Sequence, residues 1–305
     1  MWPSRQAEKQ RIMAALRHHD TAVRRLPGLS DARALDALAM QCVASLRRED
    51  YYAVVQKKLI SANRADPNHP SFDAERAVAY HMQNGNVDEA AWLVFLMTYF
   101  ARPIDSGWLR LRDVYGRRGA GIWDWVTVSA NPMSFRTWLS ANWSNIRGKF
   151  GNHRKYQSLR PDAALNMGAV VDSYVRWIGG KGHVRFFADF IRRSGNDPHV
   201  IFDSLYRDIP VVSFGRLAKF DYLALVGRYR IAPISAGSAY LDGATGPLEG
   251  ARLLFDGRRD GRSTKHALQN LLDDLDSNLG LGMQVMEDAL CNWQKSPLRF
   301  EHFRG

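Results

Sequence analysis

The sequence predicts an all-α protein. Apolar residues recur at helical spacing along most of the chain. Period-two alternation is almost absent, with "YRIAPI" at 229–234 the one stretch that reads as extended. Pro, Gly and Asn clusters cut the chain into helix-length pieces. Residues 4–25 read as a basic amphipathic helix, stopped near Pro27-Gly28. Helices over 31–46 and 51–62 follow, then the loop "NRADPNHPS" and a helix over 72–82. "NGN" at 84–86 is a break, and Asp88-Glu89 favour the next helix start through its dipole. That helix carries the longest apolar run, AAWLVFLMTYF at 90–100, which is too short to span a membrane and reads as buried.

Pro103 opens a new segment with a helix over 108–115. "GRRGAG" at 116–121 is a Gly-broken basic loop before two aromatic helices, 122–130 and 133–146. Helices over 162–178 and 184–193 flank "GGKGH". No internal repeat or low-complexity linker interrupts the chain. The expected division is an N-terminal helical region, 1–84, and a second domain, 85–305, with a weakly marked lobe boundary near 148–162.

The chain has 305 residues, enough for one large domain or two small ones with a full core. A hydrophobic fraction of 46% and a charged fraction of 24% place it among soluble globular proteins. Lys+Arg number 42 against 31 Asp+Glu, a net charge of +11. That excess fits an anionic partner such as nucleic acid, or a merely basic surface. Two cysteines make no disulfide framework, and no signal-peptide core opens the chain, so a cytoplasmic protein is expected.

The most lopsided stretch is 146–193, centred on "FGNHRKYQSLRP" at 150–161. It is either a solvated basic face or a nucleic-acid contact, with rings interleaved for stacking and glycines for close approach to phosphate. Arg147, Lys149 and Lys181 are its candidate DNA contacts. Further on, a helix, a short turn around Phe214-Gly215-Arg216 and a helix through Val226 read as a helix–hairpin–helix. Such a turn presents backbone N–H groups to phosphate and holds DNA without reading sequence. Gly215 and Lys219 join the DNA-contact candidates. The order of elements resembles the DNA glycosylase superfamily, whose "V-P-V-D" aspartate is catalytic. Here the comparable stretch is Ala232–Ser235, "APIS". Ser235 supplies no carboxylate, which argues against glycosidic cleavage while leaving the DNA grip in place.

Three pieces together, "FGNHRKYQSL" (150–159), "RIAPISAGSAYLDGATGPLEGARLL" (230–254) and "VMEDALCNWQK" (285–295), resemble one family. It is the alpha-glutamyl/putrescinyl-thymine pyrophosphorylases of bacteriophages, also called amino acid:DNA transferases. The resemblance covers about residues 85–300. It implies a DNA-glycosylase-like helical fold acting on double-stranded DNA that contains phosphorylated 5-hydroxymethyluracil. An amine, from an amino acid or a polyamine, displaces the phosphate or pyrophosphate and leaves a hypermodified thymine.

On that resemblance the base is flipped into a pocket, where Tyr156, Tyr222 and Tyr240 are the candidates to stack on it. Tyr222 reads as core. His153, Arg154 and Lys155 stabilise the leaving group, or Arg154 and Lys155 hold DNA phosphates. Asp242 or Glu249 is the general base, and Arg216 or Arg230 the fork for a donor carboxylate. Each has an ordinary alternative: His153 as a helix cap, Asp242-Gly243 as a turn, Asp221 as a cap or ion pair near Lys219, Cys291 as core. His18-His19-Asp20 lacks partners at zinc spacing, and no P-loop is present, so neither metal nor cofactor is expected. Two other functions compete. A glycosylase or lyase needs Lys219 or Asp242 at the pocket. A non-enzymatic DNA-binding protein leaves the loop 237–250 without purpose.

Overall fold

The structure, a computed structural model, describes residues 2–303. Among them are fourteen α-helices and no strand, as the periodicity predicts. In chain order they are α1 (Gln6–His18), α2 (Ala32–Lys57), α3 (Ala74–Gln83), α4 (Val87–Phe100), α5 (Leu109–Tyr115), α6 (Trp125–Ala130) and α7 (Pro132–Asn142). Then come α8 (Met167–Ile178), α9 (Gly182–Ser194), α10 (Pro198–Asp208), α11 (Arg216–Arg228), α12 (Gly246–Asp256), α13 (Lys265–Leu279) and α14 (Met283–Trp293). No helix is long and apolar enough to cross a membrane.

Several boundaries differ from expectation for local reasons. The helices expected over 31–46 and 51–62 are one helix, α2, because "RREDY" between them holds neither Gly nor Pro to break it. The helix expected from 162 begins at Met167, where Asn166 accepts the N–H of Ala169 at 3.1 Å as N-cap. The helix before the hairpin turn is α10, which Asp197 caps and which ends at Asp208. "YRIAPI" forms no strand: Arg230 adopts φ 58° in the left-handed region, and Pro233 follows. Helix α13 stands where none was expected: Thr264 caps it, and Leu268, Leu272, Leu275 and Leu279 repeat along its buried face.

The chain forms two compact units. Among the described residues, the first combines 2–51 with 236–303. Its core gathers Ile12 and Leu16 of α1, Leu38 and Val43 of α2, Leu254 of α12, the α13 leucines, and Met286, Leu290 and Trp293 of α14. Cys42 lies in this core, and burial pushes its thiol up to about 12. A thiol reagent at pH 8 should therefore leave Cys42 unmodified until denaturant is added. Rapid labelling of both cysteines in the native protein would contradict that burial.

The second unit, from Tyr52 to Ser235, is built around α4. Every residue of α4 from Ala90 to Phe100 is buried, which bears out the expected core helix. The helices α3, α9 and α11 pack around it. Aromatic rings fill the space: Phe95 stacks on Tyr174 with centroids 3.8 Å apart, and Trp92 donates its indole N–H to the carbonyl of Trp123 at 2.8 Å. A buried polar chain runs through this core. The Nδ1 of His183 lies 3.1 Å from Asp88, its Nε2 lies 2.7 Å from the Tyr174 hydroxyl, and that hydroxyl lies 3.0 Å from Tyr222. Tyr222 is core, as expected.

Candidate functional site

Helix α4 ends in an aromatic turn followed by Ala101 in the left-handed region at φ 46° and, two residues on, Pro103. Its last carbonyls need partners that the helix cannot supply. The segment "GNHR" supplies them. The N–H of Gly151 donates to the carbonyl of Phe100 at 2.9 Å, and Nε of Arg154 donates to that of Thr98 at 2.9 Å. A guanidinium is well placed there, at the negative end of the helix dipole. Gly151 is required by the approach: a Cβ on it would stand 2.7 Å from the Cβ of Ala101.

Arg154 is thus not the surface contact its basic neighbours suggested. It is 1% exposed. Besides Thr98, it donates to the carbonyl of His153 at 3.1 Å and, through Nη2, to Oδ2 of Asp221 at 2.8 Å. Asp221 sits on α11, and its side chain is 41% exposed. Asp221 was expected as a helix cap or an ion pair near Lys219; its partner instead lies on the segment before α8.

Asp221 faces a cavity of about 230 Å³, whose wall includes Tyr52, Glu75, Arg102, His153 and Arg228. Leu225 and Arg228 follow Asp221 at helical spacing, so one face of α11 supplies three of the lining residues. Arg102 lies 3.7 Å from Glu75. The guanidinium of Arg228 stands over the Tyr52 ring at 5.3 Å from its centroid. Carboxylates and cations therefore share one small wall.

The other expected residues fall in several places. Lys155 and Tyr156 are exposed just beyond the cavity segment. Arg147 is exposed, but it binds buried Asp113 through Nε at 2.9 Å and Nη2 at 2.7 Å. Lys149 pairs with Asp105 at 2.6 Å. Gly215 is exposed in the turn that joins α10 to α11, and Arg216 stacks over Phe220. Ser213 in that turn adopts φ 63°, and Gln157 holds its hydroxyl at 2.8 Å. Lys219 turns toward α10, donating to the Tyr206 carbonyl at 3.3 Å, and burial lowers the pKa of its ammonium. Lys181 lies with Arg185 and Arg193 around a separate cavity of about 340 Å³. Arg230 lines a third, with Lys57 and Gln83.

Tyr240, Asp242 and Glu249 belong to the first unit. Asp242 is 91% exposed and pairs with Lys265 at 2.5 Å, whose hydrogen bond and charge lower its carboxyl pKa. Glu249 is half-buried on α12, and Tyr240 is half-buried with φ 47°. The structure thus joins His153 and Arg154 to Asp221, which was expected only as a cap or ion pair. It was visible as the one acid between Asp208 and Asp242 in a basic stretch.

No curated protein and no solved structure matches the chain. A family model does, over residues 33–305, which takes in the three motifs and every helix from α2 onward, leaving α1 outside. The expected kinship is therefore shown, and the chain belongs to the alpha-glutamyl/putrescinyl thymine pyrophosphorylase family, clade 3.

Proposed function

We propose that this protein is an amine:DNA transferase acting on phosphorylated 5-hydroxymethyluracil in double-stranded DNA. The donor nitrogen bonds to the exocyclic methylene as the carbon–oxygen bond breaks, and phosphate or pyrophosphate leaves with the electron pair. Family membership supports the class of reaction. The observation that carries the site is the mixed-charge wall of the cavity on α11. A leaving phosphate gathers negative charge, which Arg102, Arg228 and His153 are placed to stabilise. An attacking amine needs a carboxylate nearby, which Asp221 and Glu75 supply. The exposed Lys155 and Tyr156, and the turn before α11 with Gly215 and Arg216, are proposed to hold the DNA backbone beside it. The target base is proposed to enter the cavity flipped from its stack.

The wall also favours a donor of a particular kind. A diamine carries only positive charge, so it can pair with Asp221 and Glu75 but gains nothing from Arg102 and Arg228. An α-amino acid carries both signs, and arginine forks recognise its carboxylate. An amino acid is accordingly the expected donor.

The test is mass spectrometry of nucleosides. Duplex DNA with 5-hydroxymethyluracil is phosphorylated by a suitable kinase, then incubated with the protein and either mixed amino acids or putrescine. A new nucleoside carrying the amino acid on its methylene is the expected product. Free base or an abasic site would replace the transferase with a glycosylase. DNA bound but left unchanged would replace it with a binding protein.

A further inference from the structure

We propose that Asp221 is the catalytic base of the transfer and that Arg154 is the residue that positions it, an assignment resting on the transferase function above. Three observations carry it. Asp221 lines the cavity while its side chain stays partly exposed, so a donor can reach it. Its Oδ2 is held by Arg154 at 2.8 Å, and among the described residues its Oδ1 accepts no hydrogen bond. Arg154 cannot swing away: it is buried, and its other donations fix it to the carbonyls of Thr98 and His153. One carboxylate oxygen is thereby anchored, and the other is left without a hydrogen bond on a side chain that lines the cavity. A base held this way loses little freedom when the donor arrives.

The step balances without a further reagent. The donor ammonium gives one proton to Oδ1 of Asp221. The freed lone pair on nitrogen forms the bond to the methylene carbon. The carbon–oxygen bond breaks, and the phosphate or pyrophosphate takes its electrons. The second nitrogen proton leaves to solvent once the product amine forms.

Arg154 touches no reacting atom in this scheme. Its planar fork meets three acceptors at once, which a lysine ammonium at the end of a flexible stem does not reproduce. It explains a basic residue in "GNHRK" that never reaches solvent.

The experiment measures transfer to phosphorylated duplex DNA, together with DNA affinity and thermal stability, for the full chain and its variants. Asp221→Asn is expected to lower kcat about 100-fold or more, the size of a general-base contribution, with DNA affinity within about twofold. Asp221→Ala is expected to recover part of its rate with added formate, which enters the space left by the carboxylate. Arg154→Lys is expected to lower kcat about tenfold with little change in donor KM, and Arg154→Gln to lower it further. A general loss of structure would instead shift affinity, KM and melting temperature together.

Wild-type rates in Asp221→Asn overturn the assignment while leaving the transferase standing. Loss of transfer in Asp242→Asn, with Asp221→Asn active, overturns it in favour of the other unit. Absence of any adduct from the wild-type protein overturns the transferase itself and the base assignment with it.

Discussion

Gly250→Ala is expected to destabilise the protein by about 2–3 kcal/mol, although alanine is the better helix former by about 1 kcal/mol. The reason lies in the packing of α12 on α14. A Cβ on Gly250 would stand 2.4 Å from the carbonyl oxygen of Leu290 and 2.8 Å from its carbonyl carbon. Both belong to the backbone of a helix, so no side-chain rotation relieves the clash. The two helices must move apart, and the buried contacts of Leu254 and Leu290 loosen with them. One turn earlier, a Cβ on Gly246 would stand 2.7 Å from Sγ of Cys291. There a side chain is the obstacle. Gly246→Ala should therefore be relieved by Cys291→Ala, whereas Gly250→Ala should not. Urea unfolding of the four variants checks this, and a Gly250→Ala protein as stable as the wild type would refute the close approach.

This contact changes what two of the sequence motifs mean. "GATGPLEGARLL" and "VMEDALCNWQK" carried the family resemblance, and their glycines, with Glu249, drew attention as a loop fit for chemistry. In the fold the glycines at 246 and 250 are the contact surface for Leu290 and Cys291. Part of the recognisable pattern thus serves the packing of α12 on α14. The all-α class and the buried α4 were legible because periodicity is written locally. The joining of 31–46 to 51–62 was not, because a charged stretch without Gly or Pro looks the same in a loop and in a helix.

The candidate site was half legible. The density of charge at 150–161 pointed to a segment whose Gly151, Asn152 and His153 line the cavity beside α11. It could not say that Arg154 turns inward, because that depends on orphan carbonyls at the end of α4, about 50 residues away in sequence. Nor could it bring Asp221 to Arg154, a pairing across 67 residues. Local spacing offered Lys219 to Asp221, and the tertiary structure overrode it. Asp242 looked more reactive in sequence, since it stands in a Gly-rich loop. In the fold it is a solvent-facing ion pair with Lys265.

The last expected result concerns a cavity of about 470 Å³ beside α4, lined by His81, Asp88, Glu89, Tyr115, Asp124 and Trp125 among others. Burial pushes the Glu89 carboxyl up to about 7, aided by the nearby charges of Asp124 and Asp88. The Trp125 N–H at 2.7 Å and the Tyr115 hydroxyl at 2.5 Å favour the ionised form, but burial outweighs them. The folded protein therefore keeps a proton that the unfolded chain releases from its ordinary value of 4.5 upward. The stability this gives is fully present below pH 4.5 and is lost as pH rises to about 7. At about 1.4 kcal/mol per pH unit, the loss is about 3 kcal/mol. His81 has the opposite sign. Burial lowers its pKa from 6.5 to about 4, so it adds stability as pH rises through that window. The two slopes oppose each other in the wild type. Glu89→Gln removes one slope and exposes the other. The stability of Glu89→Gln relative to wild type should rise by about 3 kcal/mol between pH 4.5 and 7.5, read from urea midpoints at each pH. A difference independent of pH would mean that Glu89 is ionised throughout, with its two hydrogen bonds outweighing its burial.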